Sequence, residues 1–235
     1  MRVAAYGAVR RRPGTVNAMQ ELAVFPLDLV VFPGQTVPLV VFEARYKRLV
    51  QQVLELDEPR FVIARARREG GAPFDEVATV VHVVELAERP DGTYTLTGHG
   101  RERIKATVAR REDVPESDGG TRPLYFTEEK PLPLRRDDPN EERVAAWDAL
   151  EAFRRYAATF FVGDAAKVVD AHVPEDLLYQ ASFVCANVRV EPEERQTLLD
   201  APSLVERFRR AERMMDERVA AHAPAPIASP GADVS

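Results

Sequence analysis

At 235 residues with 32 Lys+Arg against 38 Asp+Glu, a formal net charge of −6, the chain is long enough for one or two domains of on the order of 150 residues each. It lacks the overall positive excess that collects a nucleic-acid backbone. No apolar run approaches the ~20 residues of a membrane-spanning helix, and the longest candidate, Leu29 to Val41, is broken by Pro33, Gly34, Gln35 and Pro38. Cys185 stands alone, which excludes an internal disulfide and fits a reducing compartment, so a cytoplasmic location and no membrane partner are expected.

The first stretch, MRVAAYGAVRRRPGTVNA, contains arginine and no acid, as transit peptides do, but has no apolar segment of the secretory kind. The simpler expectation is a disordered leader over residues 1–18, with both Met1 and Met19 open as the start. The Pro-, Ala- and Ser-rich end, residues 223–235, likewise has too little apolar surface to offset the entropy of ordering it and reads as a disordered tail.

Two strand-like runs around Phe25-Pro26-Leu27 and Val37 to Phe42 flank a Pro33-Gly34 turn. A helix follows, with Tyr46, Leu49, Val50, Val53 and Leu54 at i, i+3, i+4, i+7 and i+8 on one stripe. Phe61 to Ala66, Val77 to Leu86, Thr93 to Gly98 and Arg103 to Arg111 read as further strands, the last two alternating in Tyr94/Leu96 and Ile104/Ala106/Val108. Arg89 to Thr93 supplies turn chemistry, with Gly92 free to take positive φ, and Gly98-His99-Gly100 reads as a loop. Pro115 to Gly120 is acidic, Gly-containing and poor in apolar residues.

The periodicity changes near Pro131 to Pro139, which places a boundary between a β-rich subdomain, residues 19–130, and a helical one, residues 131–222. Asp138-Pro139-Asn140-Glu141 combines an N-cap acceptor, Pro at the first helical position and an early carboxylate. The helix after it would bury Val144, Trp147, Leu150, Phe153, Ala157, Phe160 and Phe161. A second starts near Pro174 with Leu177, Ala181, Val184, Cys185 and Val188, and a third opens at Ser203 with Glu206 completing a capping box and Leu204, Phe208, Ala211 and Met215 inward. Three such helices imply a small bundle.

The segments FPLDLVVFPGQTVPLVVFEARY (Phe25 to Tyr46), FVIARA (Phe61 to Ala66), VATVVHVVE (Val77 to Glu85), Pro90-Asp91-Gly92 and GHGRERIKA (Gly98 to Ala106) stand in an order and spacing that resembles the N-terminal substrate-binding domain of Lon proteases. Weaker similarity runs to about Glu217. The resemblance implies an α+β fold: a PUA-like β-rich subdomain, a pseudo-barrel with one helix, followed by a small C-terminal helical bundle. Gly34 and Gly98 match family glycines, and Arg101 and Ile104 match its G-x-x-R-x-x-I; such glycines serve turns of positive φ or close backbone approach. Arg101 would pin a loop or form a salt bridge. Ala78 departs from the family's usual glycine, which puts a local bulge in question.

A full Lon protease also carries an ATPase motor and a Ser-Lys peptidase. A phosphate-cradling loop needs Gly-Lys-Ser/Thr, yet the four lysines follow Tyr46, Ile104, Glu129 and Ala166. Only Ser117 has lysines downstream, Lys130 and Lys167, and its PESDGG loop offers nothing to depress a lysine pKa. No catalytic residue, cofactor or metal site is expected. His82 lies within a strand, His172 ends a helical stretch, and neither has the partners a metal needs. His99 is the histidine a loop could present, and Cys185 on an apolar stripe reads as a small buried hydrophobe.

The resemblance therefore implies a non-catalytic protein-binding module that holds unfolded or damaged protein segments in protein quality control, with a separate protease as a further partner. Its surface would come from Phe25, Leu27, Phe32, Pro33, Leu39 and Phe42, too many apolar groups for all to point into a thin barrel, with Phe32 and Pro33 at the turn the first choices. The alternative from another class is RNA binding, which PUA-like folds also serve. Net charges of −2 over residues 19–113 and −7 over 114–222 argue against a nucleic-acid partner. A stripe of Arg101, Arg103 and Lys105 along one strand face, continued by Arg110 and Arg111, is the one local basic feature.

Overall fold

The computed structural model describes residues 3–5, 21–116, 118–161 and 163–222. Of the leader it describes β1 (Val3–Ala5), which pairs antiparallel with Ala87 to Glu85; the rest of residues 1–20, Ser117, Val162 and the tail from 223 lie outside the described residues. The chain then forms β2 (Glu21–Leu27), β3 (Thr36–Val41), α1 (Ala44–Leu54), β4 (Arg60–Arg65), β5 (Val77–Glu88), β6 (Tyr94–Lys105), β7 (Arg110–Pro115) and β8 (Thr121–Glu128). Helices α2 (Pro139–Ala157), α3 (Ala165–Asp170), α4 (Leu177–Asn187), α5 (Pro192–Leu199) and α6 (Leu204–His222) complete it. This is the α+β order expected, strands before helices.

One sheet runs β3-β6-β5-β4-β2-β8-β7, with β1 beside β5. Only β2 and β4 are parallel, since β3 and α1 intervene between them in sequence; the other pairs are antiparallel. Val37 and Val41 from one end of this order and Val114 from the other join the same buried cluster, so the sheet curls on itself. Helix α1 closes it with the stripe read from its sequence: Tyr46, Leu49, Val50 and Val53 are buried there, and Leu54 is exposed. Phe25 packs at the centre, its ring centroid 4.0 Å from Tyr46 and 6.2 Å from Phe61. A second cluster, with Leu22, Val62, Ala64, Val80 and Ile104, lies on the sheet's other face.

The helices cover what would otherwise be the exposed side of the β2–β3 connection. Val30 and Phe32 belong to the core formed by α2, α4, α5 and α6, whereas their neighbour Val31 points into the sheet core. Asp138 caps α2 by accepting from Asn140 N and Glu141 N at 2.9 and 3.3 Å. Leu204, Phe208, Ala211 and Met215 of α6 are fully buried, as their spacing predicts.

Four local expectations are corrected. Gly98, His99 and Gly100 are inside β6, not in a loop. Val144, Trp147 and Phe161 are exposed, because α2 ends at Ala157 and turns Ala145, Ala146, Ala149 and Ala152 inward, and small side chains let α6 approach closely. Strand β8 and the short helices α3 and α5 go beyond the strands and the three helices read from the sequence. Strand β7 is separated from β6 by residues 106–109 and runs beside β8.

Candidate functional site

The Pro33-Gly34 turn sits between the sheet and the helices. Gln35 N donates to Phe32 O at 3.0 Å, and Gln35 Oε1 accepts from Phe32 N at 3.1 Å. Gly34 N donates to Gly100 O, and Gly100 N to Gln35 O, both at 2.8 Å, which fastens the turn to β6. Gly34 has φ +88°, and a Cβ there would lie 2.6 Å from Tyr179 Cδ1, so the ring of α4 lies directly on the turn.

Two cavities flank that contact, and Pro33, Tyr179 and Ser182 line both. The first, about 320 Å³, is bounded by Gly34, Gln35, His99, Pro174, Phe183, Ala186 and Asn187. The second, about 350 Å³, is bounded by Arg101, Glu102, Arg103, Pro131, Pro133, Leu134, Asp176, Leu178 and Arg207. Together they make an apolar groove with cationic groups along one side, of the kind that proteins use to take small ligands or short segments.

The cations are placed by a bulge. Thr79 pairs with Arg103 but Val81 pairs with Gly100, so β6 spends three steps where β5 spends two. Arg101 and Glu102 are both exposed, and Arg103 turns inward. Arg103 Nε donates to Leu132 O at 2.7 Å, Nη1 to Leu199 O and Ala201 O at 2.7 and 2.6 Å, and Nη2 to Pro133 O at 3.2 Å. Arg207, 1% exposed, donates from Nε to Leu198 O at 3.1 Å and from Nη2 to Leu199 O at 3.2 Å. Burial lowers both guanidinium pKa values, that of Arg207 to about 10, so both remain charged at neutral pH.

The sequence candidates divide. Phe25 and Phe32 are core residues, 3% and 0% exposed, and not binding-surface groups. The barrel interior is not the only buried side: Phe25 fills the sheet core, and Phe32 is covered by the helices. Leu27 and Leu39 are half-buried against the sheet core, and Phe42 is exposed but lines neither cavity. Pro33 alone of the six lies in the groove. Leu134, Leu178, Tyr179 and Phe183 line it too, and were missed. Leu178 and Tyr179 fall off the Leu177, Ala181, Val184, Cys185 stripe of α4, and apolar residues beside a complete buried stripe were the available signal.

The motif residues also divide. A Cβ on Gly98 would come 2.4 Å from Val81 Cγ1, which is close approach across paired strands, and Ile104 is fully buried. The pinning expected of Arg101 is performed by Arg103, because the bulge swaps their faces; the same swap breaks the proposed basic stripe. Arg110 and Arg111 are paired with acids, Glu21 at 2.9 Å and Asp113 at 2.7 Å. A register shift lies beside Ala78, between Thr79 and Val81, so alanine there is compatible with a bulge. His99 lines the first cavity with Nδ1 3.3 Å from Thr36 Oγ1, and burial, then Arg101 and His82, lowers its pKa. Cys185 is fully buried and its thiol is pushed up to about 12 by burial. Among the described residues no group of three or more His, Cys, Asp or Glu is placed to hold a metal ion, and no helix is long and apolar enough to cross a membrane.

The profile of the ATP-dependent protease La (LON) substrate-binding domain matches residues 21–217. The chain belongs to the Lon substrate-binding domain family. It is 26% identical over 207 residues to the Lon protease of Rhizobium meliloti (strain 1021), covering 83% of this chain and 24% of that protein. With the Lon protease of Xanthomonas oryzae pv. oryzae it shares 26% over 203 residues, 80% of this chain and 22% of that protein. The chain thus spans about a quarter of the length of these relatives. The fold is similar to the N-terminal domain of Mycobacterium avium complex Lon protease, with TM-score 0.61 at 15% identity, covering 84% of this chain and 99% of that one. A Lon N-terminal domain protein from Xanthomonas campestris gives TM-score 0.53 at 21% identity, covering 84% and 98%.

Proposed function

We propose that this Lon-type domain is a non-catalytic binding module that takes apolar segments of unfolded or damaged proteins into the groove between its subdomains, in cytoplasmic protein quality control, and yields them to a separate protease. The observation that carries the reading is the pair of cavities meeting at Pro33, Tyr179 and Ser182. Their walls are largely Pro, Leu, Tyr and Phe, suited to apolar side chains of any order, and they lie on rigid elements fixed by the hydrogen bonds of Gly34, Gly100 and Arg103. Apolar grooves with aromatic anchors are where short segments gain most of their affinity.

The test is photocrosslinking from benzoylphenylalanine introduced at Leu178, 37% exposed at the groove, and at Trp147, 63% exposed on the outer face of α2. Reduced, carboxymethylated α-lactalbumin should crosslink from Leu178 and only weakly from Trp147, and native α-lactalbumin from neither. Equal labelling from the two positions, or none from Leu178, would overturn the reading. The same preparation should hydrolyse neither ATP nor casein; turnover that follows the protein through a further purification step would contradict its non-catalytic part.

A further inference from the structure

Resting on that reading, we infer that the second cavity is a receptor for the C-terminal end of a protein chain, with the free α-carboxylate set against Arg101 and Arg207 and the last apolar side chain against Pro33, Leu134 and Leu178.

Two charged guanidiniums, Arg103 and Arg207, are buried at this cavity, and neither forms an ion pair with a carboxylate among the described residues. Arg103 is bonded at all three nitrogens, each donating to a backbone carbonyl. Arg207 is not. Its Nε and Nη2 donate to Leu198 O and Leu199 O, and Nη1 has no acceptor among the described residues. Nη1 is not among the sealed side-chain atoms that lack a partner, so it opens on the cavity, where an anionic ligand would complete its hydrogen bonding. Arg101, exposed at the rim and likewise without an ion pair among the described residues, adds a second fork.

Two acids border the cavity and neither neutralises these groups. Asp176 Oδ1 accepts from Leu178 N and Tyr179 N at 2.9 and 3.3 Å, and Glu102 Oε2 lies 3.9 Å from His82 Nε2. Asp200, which accepts from Gln196 Nε2 at 2.8 Å, is the carboxylate whose charge partly offsets the burial of both guanidiniums, but it forms an ion pair with neither. The remaining walls are apolar, so the ligand joins one carboxylate to an adjacent hydrophobic group. A chain terminus has that chemistry, and only one end of it must leave a cavity of about 350 Å³.

Fluorescence anisotropy with one labelled peptide ending in Leu-Val-Phe, as the free acid and as the C-terminal amide, tests this on the whole chain. The acid should bind about tenfold or more tightly than the amide, the factor expected for a charge-assisted hydrogen bond. Arg101→Met, which removes no hydrogen bond of the fold, should narrow that gap while leaving the melting temperature unchanged. Arg207→Lys, which retains charge but not the fork, should narrow it too if the protein stays folded. Equal binding of acid and amide, while unfolded α-lactalbumin still crosslinks at Leu178, would overturn the terminus receptor and leave the client reading intact. Binding of an amidated peptide with an internal Asp as tightly as the acid would overturn it in favour of a side-chain carboxylate. Displacement of the acid peptide by a short oligouridylate at lower concentration than by unlabelled peptide would overturn it in favour of a phosphate ligand. If α-lactalbumin also fails to crosslink, both readings fall.

Discussion

Arg103 Nη1 donates to the carbonyl oxygens of Leu199 and Ala201 at 2.7 and 2.6 Å, across 96 and 98 residues of chain. With its bonds to Leu132 and Pro133 it ties strand β6, the segment between β8 and α2 and the end of α5 into one joint. Arg103→Met leaves four carbonyls without that donor, so a loss of ~3–5 kcal/mol is expected, the usual effect of breaking a buried polar network. Arg101→Met, two residues away on the exposed side of the bulge, should change stability by only ~0.5 kcal/mol. Urea denaturation of both variants measures the contrast; similar losses would mean that the bulge does not separate their roles.

Phe32 gives the second expectation. It is fully buried among the helices, with Arg207 Cζ 5.7 Å from its ring centroid. Replacing Phe32 with Ser empties the site and buries a hydroxyl, a loss of ~3–5 kcal/mol or more by comparison with Phe→Ala changes. Thermal melting should show it directly. A near-wild-type melting temperature would return Phe32 to the surface and reopen the turn as a contact site.

Strands β2 to β5, α1, the Asp138 cap and the inner face of α6 were legible because each depends on local pattern: alternation, a 3.6-residue stripe, or a side-chain acceptor beside Pro. What escaped depends on distant chain. Gly98-His99-Gly100 looks like a loop until β3 and β5 pair with it on both sides. The face of Arg103 is set by one bulged residue in the β5–β6 pair. The inner face of α2 is alanine-rich and its large apolar residues Val144 and Trp147 lie outside, because a closely packed helix pair needs small side chains. The groove itself requires α4 to lie on the β2–β3 turn, 145 residues apart between Gly34 and Tyr179, and no pattern along the chain encodes that meeting.

Acid should loosen the segment that leads into α2. Glu142 is depressed chiefly by hydrogen bonds from Arg136, 2.8 Å from Nε to Oε1, against the opposing effect of desolvation. Asp137 is depressed chiefly by its hydrogen bond with Ser203, with Val205 N adding another at 3.1 Å. Both folded pKa values lie below the ordinary 4.5 and 3.8, so their contribution is full above those values and is lost as pH falls through the lower, folded ones. Glu142→Gln should therefore lower stability at pH 7 and flatten its decline between about pH 5 and pH 3. Parallel urea curves for wild type and variant across that range would show the charge to be idle.

The contact of Gly34 with Tyr179 can be separated into backbone and packing parts. At φ +88° an alanine is strained, at ~1–2 kcal/mol for a left-handed conformation, and its Cβ would also stand 2.6 Å from Tyr179 Cδ1, closer than carbon atoms pack. Gly34→Ala should thus cost more than strain alone, because either the turn or α4 must shift. Tyr179→Ala removes the obstructing ring, which is 44% exposed and belongs to the groove wall, so on its own it should cost little stability but weaken binding of unfolded α-lactalbumin. In the double variant the clash disappears and only the strain of positive φ remains. Its stability should consequently exceed the sum of the two single effects by ~1 kcal/mol or more, a coupling that a double-mutant cycle in urea reads directly. Strict additivity would mean that turn and helix do not touch in solution, and the two cavities would then lose the wall they share.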